Sequence, residues 1–505
     1  MMVVFRSFPY LSYSMNPLQA RFLGIDLGTG SLKVAIIDEA GVERAAASVP
    51  YALDTPQPGW AEIPVARWWD ALCAACAHLD AGERAAVRAI GFSGQMHGVV
   101  LTDEAGHALR PAMLWPDTRA HALLDAWPEP QPNPVAPGMA GPLLRWVSLN
   151  EAAVAQRTRW ALQPKDWLRV ALGGAIVADP SDACATALAA PDGAWDLQWI
   201  ERLGLPTRWF APLAASGEAS GTLSSAAAEA LGLNAGIVLA AGAGDTPCAA
   251  LGSGLAPDGD ALITTGTGGQ ILVTARDQPP ARRGLHRYRS ASGGWYTMAA
   301  MQNVGVALEA ARGWLSYDWP RAYEEAFGAE PSATLAFLPY LSGERSPWLD
   351  PAARGGWLGA GLGDTRGTLM RAAFEGVAFA LRAGLDAIRE SGAPIARLKL
   401  AGGGSVDARW RQLLADVLDA ELDAIDCPNA AARGAAMLGA LACGHWQEAD
   451  LAALAPTATR VASPRRAAAL AAPLAAPLAS PLASRYARFI DLYGRTRTWF
   501  AAAQP

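Results

Sequence analysis

Phe22-Leu23-Gly24-Ile25-Asp26-Leu27-Gly28-Thr29-Gly30-Ser31, followed by Lys33-Val34-Ala35-Ile36-Ile37, is an apolar run, a tight turn and a second apolar run. That order predicts a β-hairpin with Asp26 beside its turn. Gly28 and Gly30 let backbone N–H groups approach phosphate oxygens with no Cβ in the way, and Thr29 and Ser31 add hydroxyl donors. Asp26 is then a candidate ligand for Mg²⁺, directly or through water, because that ion takes oxygen ligands and shares them with substrate phosphates. A dinucleotide fingerprint would place a third glycine where Lys33 stands and would open a helix, whereas this segment reads as a strand. No G-x-x-x-x-G-K-[ST] run occurs, so the turn is not a P-loop either.

The pattern returns near the middle of the chain. Ala261-Leu262-Ile263-Thr264-Thr265 leads into Gly266-Thr267-Gly268-Gly269 and a second apolar run, Ile271-Leu272-Val273. A period of about half the chain predicts two related domains, each contributing a Gly-Thr-Gly turn. Gly252-Ser253-Gly254 through Gly259 reads as the linker between them. The expected organisation is an extension over residues 1–20, disordered and consistent with a start at Met15, then domains at 21–252 and 258–451. An Ala/Pro-rich segment with a terminal helix follows at 452–505, the helix docking on the second domain.

With 505 residues, 51% of them hydrophobic and 17% charged, the chain can bury large cores. Its net charge of −6, with no basic run longer than an arginine pair, gives no electrostatic footprint for nucleic acid. No apolar run reaches the length that spans a bilayer. The six cysteines have no disulfide-framework spacing, so a reducing cytoplasm is the expected compartment. Cys73, Cys76 and His78 look like a metal clip but fall on one amphipathic helix and read as a packed face.

Along the first half, Val42–Val49 continues the hairpin as a third strand, and Pro64 opens a helix running to about His78. Val87–Phe92 is a buried strand feeding the loop Ser93-Gly94-Gln95-Met96-His97-Gly98, and the carboxyl end of such a strand is where open α/β sheets place ligands. Val99–Thr102 and Ala112–Trp115 read as a hairpin, Asp117 as a helix cap, and the six prolines between Trp127 and Pro142 as a surface loop. In Gly242-Ala243-Gly244-Asp245-Thr246-Pro247 a carboxylate again follows a strand and a glycine turn. Beyond the second turn come Glu344-Arg345, read as an ion pair, a long helix from about Thr365 to Ser391, and the loop Gly402-Gly403-Gly404-Ser405. Two phosphate-holding turns on opposite domains can close over a nucleoside triphosphate. Of the two carboxylates after strands, one serves the metal, and the other takes a proton from an attacking hydroxyl.

The ordered set Asp26-Leu27-Gly28-Thr29, Gly94-Gln95-Met96-His97-Gly98, Leu114-Trp115-x-Asp117-x-Arg119, Pro164-Lys165-Asp166-Trp167-Leu168, Gly244-Asp245, Gly266-Thr267-Gly268 and Gly402-Gly403-Gly404-Ser405 resembles the FGGY carbohydrate kinases of the sugar kinase/actin/Hsp70 superfamily. That resemblance implies an α/β, ribonuclease H-like duplicated fold with an interdomain cleft, ATP and Mg²⁺, and no partner beyond sugar and nucleotide, with a homodimer left open. It implies Asp245 as general base, Asp26 on the metal, and Gln95, Met96, His97, Asp245 and Thr246 around the sugar. Gly28, Thr29, Gly30, Ser31 and Thr265, Gly266, Thr267, Gly268 would hold the phosphates, with Gly402, Gly403, Gly404 and Ser405 against adenosine. The Gln-Met-His-Gly loop and the Leu-Trp-x-Asp-x-Arg segment look most like the xylulokinases, which phosphorylate D-xylulose on its 5-hydroxyl. Thr246 and Pro116 stand where many of these have asparagine, which leaves D-ribulose, another ketose or a polyol open. A non-catalytic sugar sensor on the same clamp is the alternative from another class, and the presence of both Asp26 and Asp245 counts against it.

Overall fold

The computed structural model describes residues 19–128, 131–255, 258–392, 395–465 and 481–502. The two apolar runs either side of the glycine turn become β1 (Arg21–Leu27) and β2 (Ser31–Asp38), which pair antiparallel with Asp26 opposite Lys33. β3 (Glu43–Pro50) extends the hairpin, and β4 (Val87–Gly94) lies parallel to β1 with Ser93 beside Asp26. β5 (Ala219–Thr222), β6 (Val238–Ala240) and β7 (Ala243–Gly244) complete a seven-stranded sheet of order β3-β2-β1-β4-β6-β5, with β7 also pairing β4. Trp68, Leu72 and Cys76 of helix α1 (Val65–Ala77) bury one face of it.

The second half repeats this plan. β8 (Ala261–Thr265) and β9 (Gly269–Ala275) form the hairpin. β10 (His286–Arg289), β11 (Trp295–Met301), β12 (Arg397–Ala401), β13 (Glu421–Ile425) and β14 (Ala458–Ala462) complete a second seven-stranded sheet of order β10-β11-β9-β8-β12-β13-β14. Antiparallel strands lead to each turn-bearing strand, β3 and β2 to β1 in the first sheet and β10, β11 and β9 to β8 in the second, and each turn-bearing strand is flanked on its other side by a parallel neighbour. The long helix forms as the periodicity demands, over Arg366–Arg389 with a Thr365 capping box, and Met370, Phe374, Val377, Leu381, Leu385 and Ile388 are all buried.

One helix crosses between the halves. Ala430–Ala442 packs on β1 and β4 of the first sheet so closely that a Cβ on Gly24 would stand 1.7 Å from the Ala432 carbonyl oxygen, and one on Gly91 1.8 Å from that of Ala435. Glycine inside a strand here means close backbone approach. Buried Arg433 on the same helix donates to the carbonyls of Gly41 and Gly252. The terminal helix, Pro481–Ala502, docks Phe489, Tyr493 and Phe500 into the second core.

Several expectations are corrected. Pro64 caps the first helix from outside it. Val100–Thr102 pairs with Trp160–Leu162, and Ala112–Met113 with Glu62–Ile63; the two expected hairpin arms meet at the isolated bridge Val99↔Met113, and Thr102 bridges Ala108, short of the second arm. Pro111, which has no N–H to give a ladder, stands between them. Asp117 caps no helix, because its buried carboxylate accepts the Ala61 N–H at 2.7 Å and the Arg119 guanidinium. The proline-rich stretch is irregular but not superficial: Trp127 is buried, and the helix Ala140–Asn150 starts within it. Glu344 forms no ion pair with Arg345; it accepts backbone N–H groups of Gln302 (2.6 Å) and Arg345 (2.8 Å). The Ala/Pro-rich segment supplies the edge strand β14, and residues 466–480 and 1–18 lie outside the described residues. All six cysteines are free thiols. No helix among the described residues is long and apolar enough to cross a membrane.

Candidate active site

The first turn is closed by the Gly28 N–H on the Ser31 carbonyl at 3.0 Å. Its carbonyl at Gly28 accepts from Gln95 Nε2 (3.1 Å) and Tyr51 Oη, and Thr29 Oγ1 accepts from the indole N–H of half-exposed Trp115 at 2.8 Å. Gln95, expected at the sugar, therefore spends its buried amide on the turn. Nothing stands over the Cα of Gly30, which leaves that side of the turn open. Asp26, one residue before the end of β1, accepts a 2.7 Å hydrogen bond from Ser93 Oγ on β4. Its carboxyl is held above the ordinary range, because burial outweighs the Ser93 hydrogen bond and the Lys33 charge.

The second turn and the triple-glycine loop come together. Thr265 Oγ1 and Ser405 Oγ are 2.7 Å apart, and the Gly404 N–H donates to the Thr265 carbonyl at 3.0 Å. Gly402 sits at φ +94, where a Cβ would meet that same carbonyl oxygen at 2.5 Å, so glycine is required there. Carbonyls of Gly266 and Thr267 accept from Gly305 (2.9 Å) and Val306 (3.0 Å), which start the helix Gly305–Trp314 behind the turn.

Asp245 is the first residue of the helix Asp245–Gly252, half-buried, with Thr246 donating its N–H (2.6 Å) and its hydroxyl (3.3 Å) to one carboxylate oxygen. Its pKa is pushed up to about 7, first by burial and next by the charge of Asp26, with the Thr246 hydrogen bonds working against both. The two carboxylates thus share one electrostatic environment, although they stand on different elements. Met96 covers Gly244, where a Cβ would lie 2.7 Å from its Cγ. His97, at φ 77, directs Nδ1 to the Ala185 carbonyl at 2.7 Å. A carbonyl only accepts, so Nδ1 carries the proton, and burial, which lowers the pKa, keeps the ring neutral with Nε2 as an acceptor. The His97 ring lies 6.4 Å from that of Tyr288 on β10, which brings the second half of the chain to the same place.

Behind Asp245 stands a cluster that sequence reasoning did not find. Lys165 is fully buried with Nζ 2.7 Å from Asp166, 2.9 Å from Asp179 and 3.2 Å from Asp182, and Arg169 adds a 2.8 Å bond to Asp166. Burial opposes its charge, but the three carboxylates hold the ammonium pKa well above its ordinary value. Asp179 accepts from Ser181 Oγ (2.7 Å), and Ser181 Oγ accepts from the N–H of Gly244, the residue before Asp245 (3.1 Å). The Pro-Lys-Asp run and the polar turn Asp179-Pro180-Ser181-Asp182 were the available signals, and they read alone as a helix start and a turn.

The duplicated sheets define a two-domain sugar kinase: a xylulose kinase structure from Brucella ovis superposes with a TM-score of 0.86 at 32% identity, covering 96% of this chain and 100% of that one. The N-terminal domain model of the FGGY family of carbohydrate kinases matches residues 21–252, and the C-terminal domain model matches 261–443. The chain belongs to that family. Among curated relatives, a xylulose kinase of Escherichia coli is 33% identical over 418 residues, which cover 80% of this chain and 86% of the relative. One of Staphylococcus epidermidis is 31% identical over 450 residues, 84% of this chain and 88% of the relative.

Proposed function

We propose that this sugar kinase transfers the γ-phosphoryl group of ATP to the 5-hydroxyl of D-xylulose, giving D-xylulose 5-phosphate and ADP. The observation that carries the reading is the Asp245 carboxyl poised near 7 beside Asp26, since a general base works best when its pKa lies near the operating pH. The relatives named xylulose kinase support the choice of sugar.

Asp245 takes the proton of the sugar hydroxyl as its oxygen bonds to the γ-phosphorus; the bond from that phosphorus to the ADP oxygen breaks, and the proton stays on the carboxyl until product leaves. Thr246 holds the carboxylate in line, Met96 supplies an apolar wall over Gly244, and His97 offers Nε2 to a sugar hydroxyl. The turns Gly28–Ser31 and Thr265–Gly268 hold phosphates, Gln95 keeps the first turn in shape, and Gly402–Ser405 lies against adenosine.

The donor set fits Mg²⁺: Asp26 and Ser93 present oxygen ligands, and the raised Asp26 carboxyl is relieved by a cation. Among the described residues no group of three or more His, Cys, Asp or Glu is placed to hold a metal ion. When bound, Mg²⁺ neutralises phosphate charge that develops during transfer. The domains act at 21–252 for sugar and base and at 258–451 for nucleotide, with closure excluding water. An ADP-release assay over D-xylulose, D-ribulose, ketohexoses and polyols tests the reading, and D-xylulose is expected to have the highest kcat/KM. A clear preference for a polyol would overturn the choice of sugar while leaving the kinase assignment in place.

A further inference from the structure

Tyr296 lies on β11, whose every residue is buried. It pairs across the sheet with Tyr288 on β10, the two rings edge to face at 5.8 Å, and Tyr288 in turn reaches His97 of the first half. Tyr296 shares an apolar cluster with Met96 and Cys184, so its ring belongs to the wall where the two halves meet. The neighbouring hydroxyl of Tyr288 is engaged with His286 Nδ1 at 3.1 Å. The Tyr296 hydroxyl has no hydrogen-bond partner, and it is the one tyrosine hydroxyl among the described residues that is both buried and unpartnered.

Buried Asp182 also acts on this phenol through its charge, and Lys165 Nζ holds it at 3.2 Å. Burial foremost, then the Tyr288, Asp245, Cys184 and Asp182 charges, hold the Tyr296 phenol well above its ordinary pKa. It therefore remains an O–H group able both to donate and to accept. A buried hydroxyl without a partner destabilises a fold unless something else satisfies it. A sugar bound at Asp245 presents hydroxyls of the matching chemistry.

We infer that the Tyr296 hydroxyl reads the sugar: it hydrogen-bonds a hydroxyl of the bound ketose from the second half of the chain, across from Asp245. The inference rests on the ketose kinase reading above and adds a specificity-determining contact to it. Such a contact discriminates more sharply than apolar packing, because a sugar lacking the matching hydroxyl leaves the phenol unpaired in a site closed to water. It also makes sugar binding depend on closure, since Tyr296 and Met96 belong to different halves.

Tyr296→Phe removes one oxygen and keeps the ring. The expected result is a KM for D-xylulose raised roughly 5- to 50-fold, a KM for ATP within twofold of wild type, and an unchanged or higher Tm. A panel of mono-deoxy pentuloses should contain one sugar for which wild type and variant perform alike, and that sugar names the hydroxyl. Sugar kinetics within twofold of wild type across the panel would overturn the inference and leave the kinase reading standing. Loss of the fold in Tyr296→Phe would also overturn it, because the hydroxyl would then carry a structural load. A wild-type chain that phosphorylates no ketose would overturn both the inference and the reading beneath it.

Discussion

Asp26 raises Asp245: after burial, the charge at the end of β1 is the largest cause holding the Asp245 carboxyl at about 7. The coupling means that neutralising one carboxylate retunes the other. In Asp26→Asn the acid limb of the kcat/KM profile should move to lower pH, even as kcat falls with the loss of the proposed metal-side carboxylate. Rate measurements between pH 5 and 8 check this. A limb that stays in place would separate the two groups electrostatically.

The same raised pKa has a consequence for stability. A carboxyl whose folded pKa is near 7 and whose unfolded pKa is about 4 contributes stability that is fully present below pH 4 and is lost as pH rises through 7. Asp245→Asn removes that dependence. The Tm of the variant relative to wild type should therefore rise between about pH 4 and 7 and level off above. Thermal unfolding at pH 5 and 8 tests the sign.

Lys165 neutralises three carboxylates in a site closed to water. Lys165→Met leaves Asp166, Asp179 and Asp182 without their shared cation and should cost about 3–5 kcal/mol in urea unfolding. Because Asp179 acts through Ser181 on the Gly244 N–H, any folded fraction should also have a lowered kcat.

Gly24 is where the crossing helix touches β1. A methyl group there would lie 1.7 Å from the Ala432 oxygen, so Gly24→Ala must push the helix off the sheet. The expected loss is about 1–3 kcal/mol or more. Gly30→Ala, with open space in the Gly28–Ser31 turn, should leave stability within about 0.5 kcal/mol.

Both hairpins and the long helix were legible because their patterns are local: apolar runs either side of a glycine turn next to Asp26, the repeated Gly-Thr-Gly, and a 3.6-residue period from Met370 to Ile388. Asp26 was legible as a carboxylate beside the glycine turn, within β1 rather than after it, and Asp245 as one that follows a strand. What escaped depends on contacts distant in sequence. The strand Val100–Thr102 finds its partner at Trp160–Leu162, and Gly24 owes its identity to a helix some four hundred residues later. The Lys165 cluster escaped because each member alone reads as a cap or a surface charge. Tyr296 escaped because its strand reads as core and is buried throughout, and only the structure shows its hydroxyl unpartnered.

The central claim is that Asp245 takes the proton of the attacking hydroxyl. Steady-state ADP release by Asp245→Asn with D-xylulose and Mg-ATP, alongside a direct measurement of ATP binding, tests it most directly. The account predicts kcat lowered by about 10²- to 10⁴-fold with ATP affinity within twofold of wild type. Retention of full turnover by the variant would contradict it.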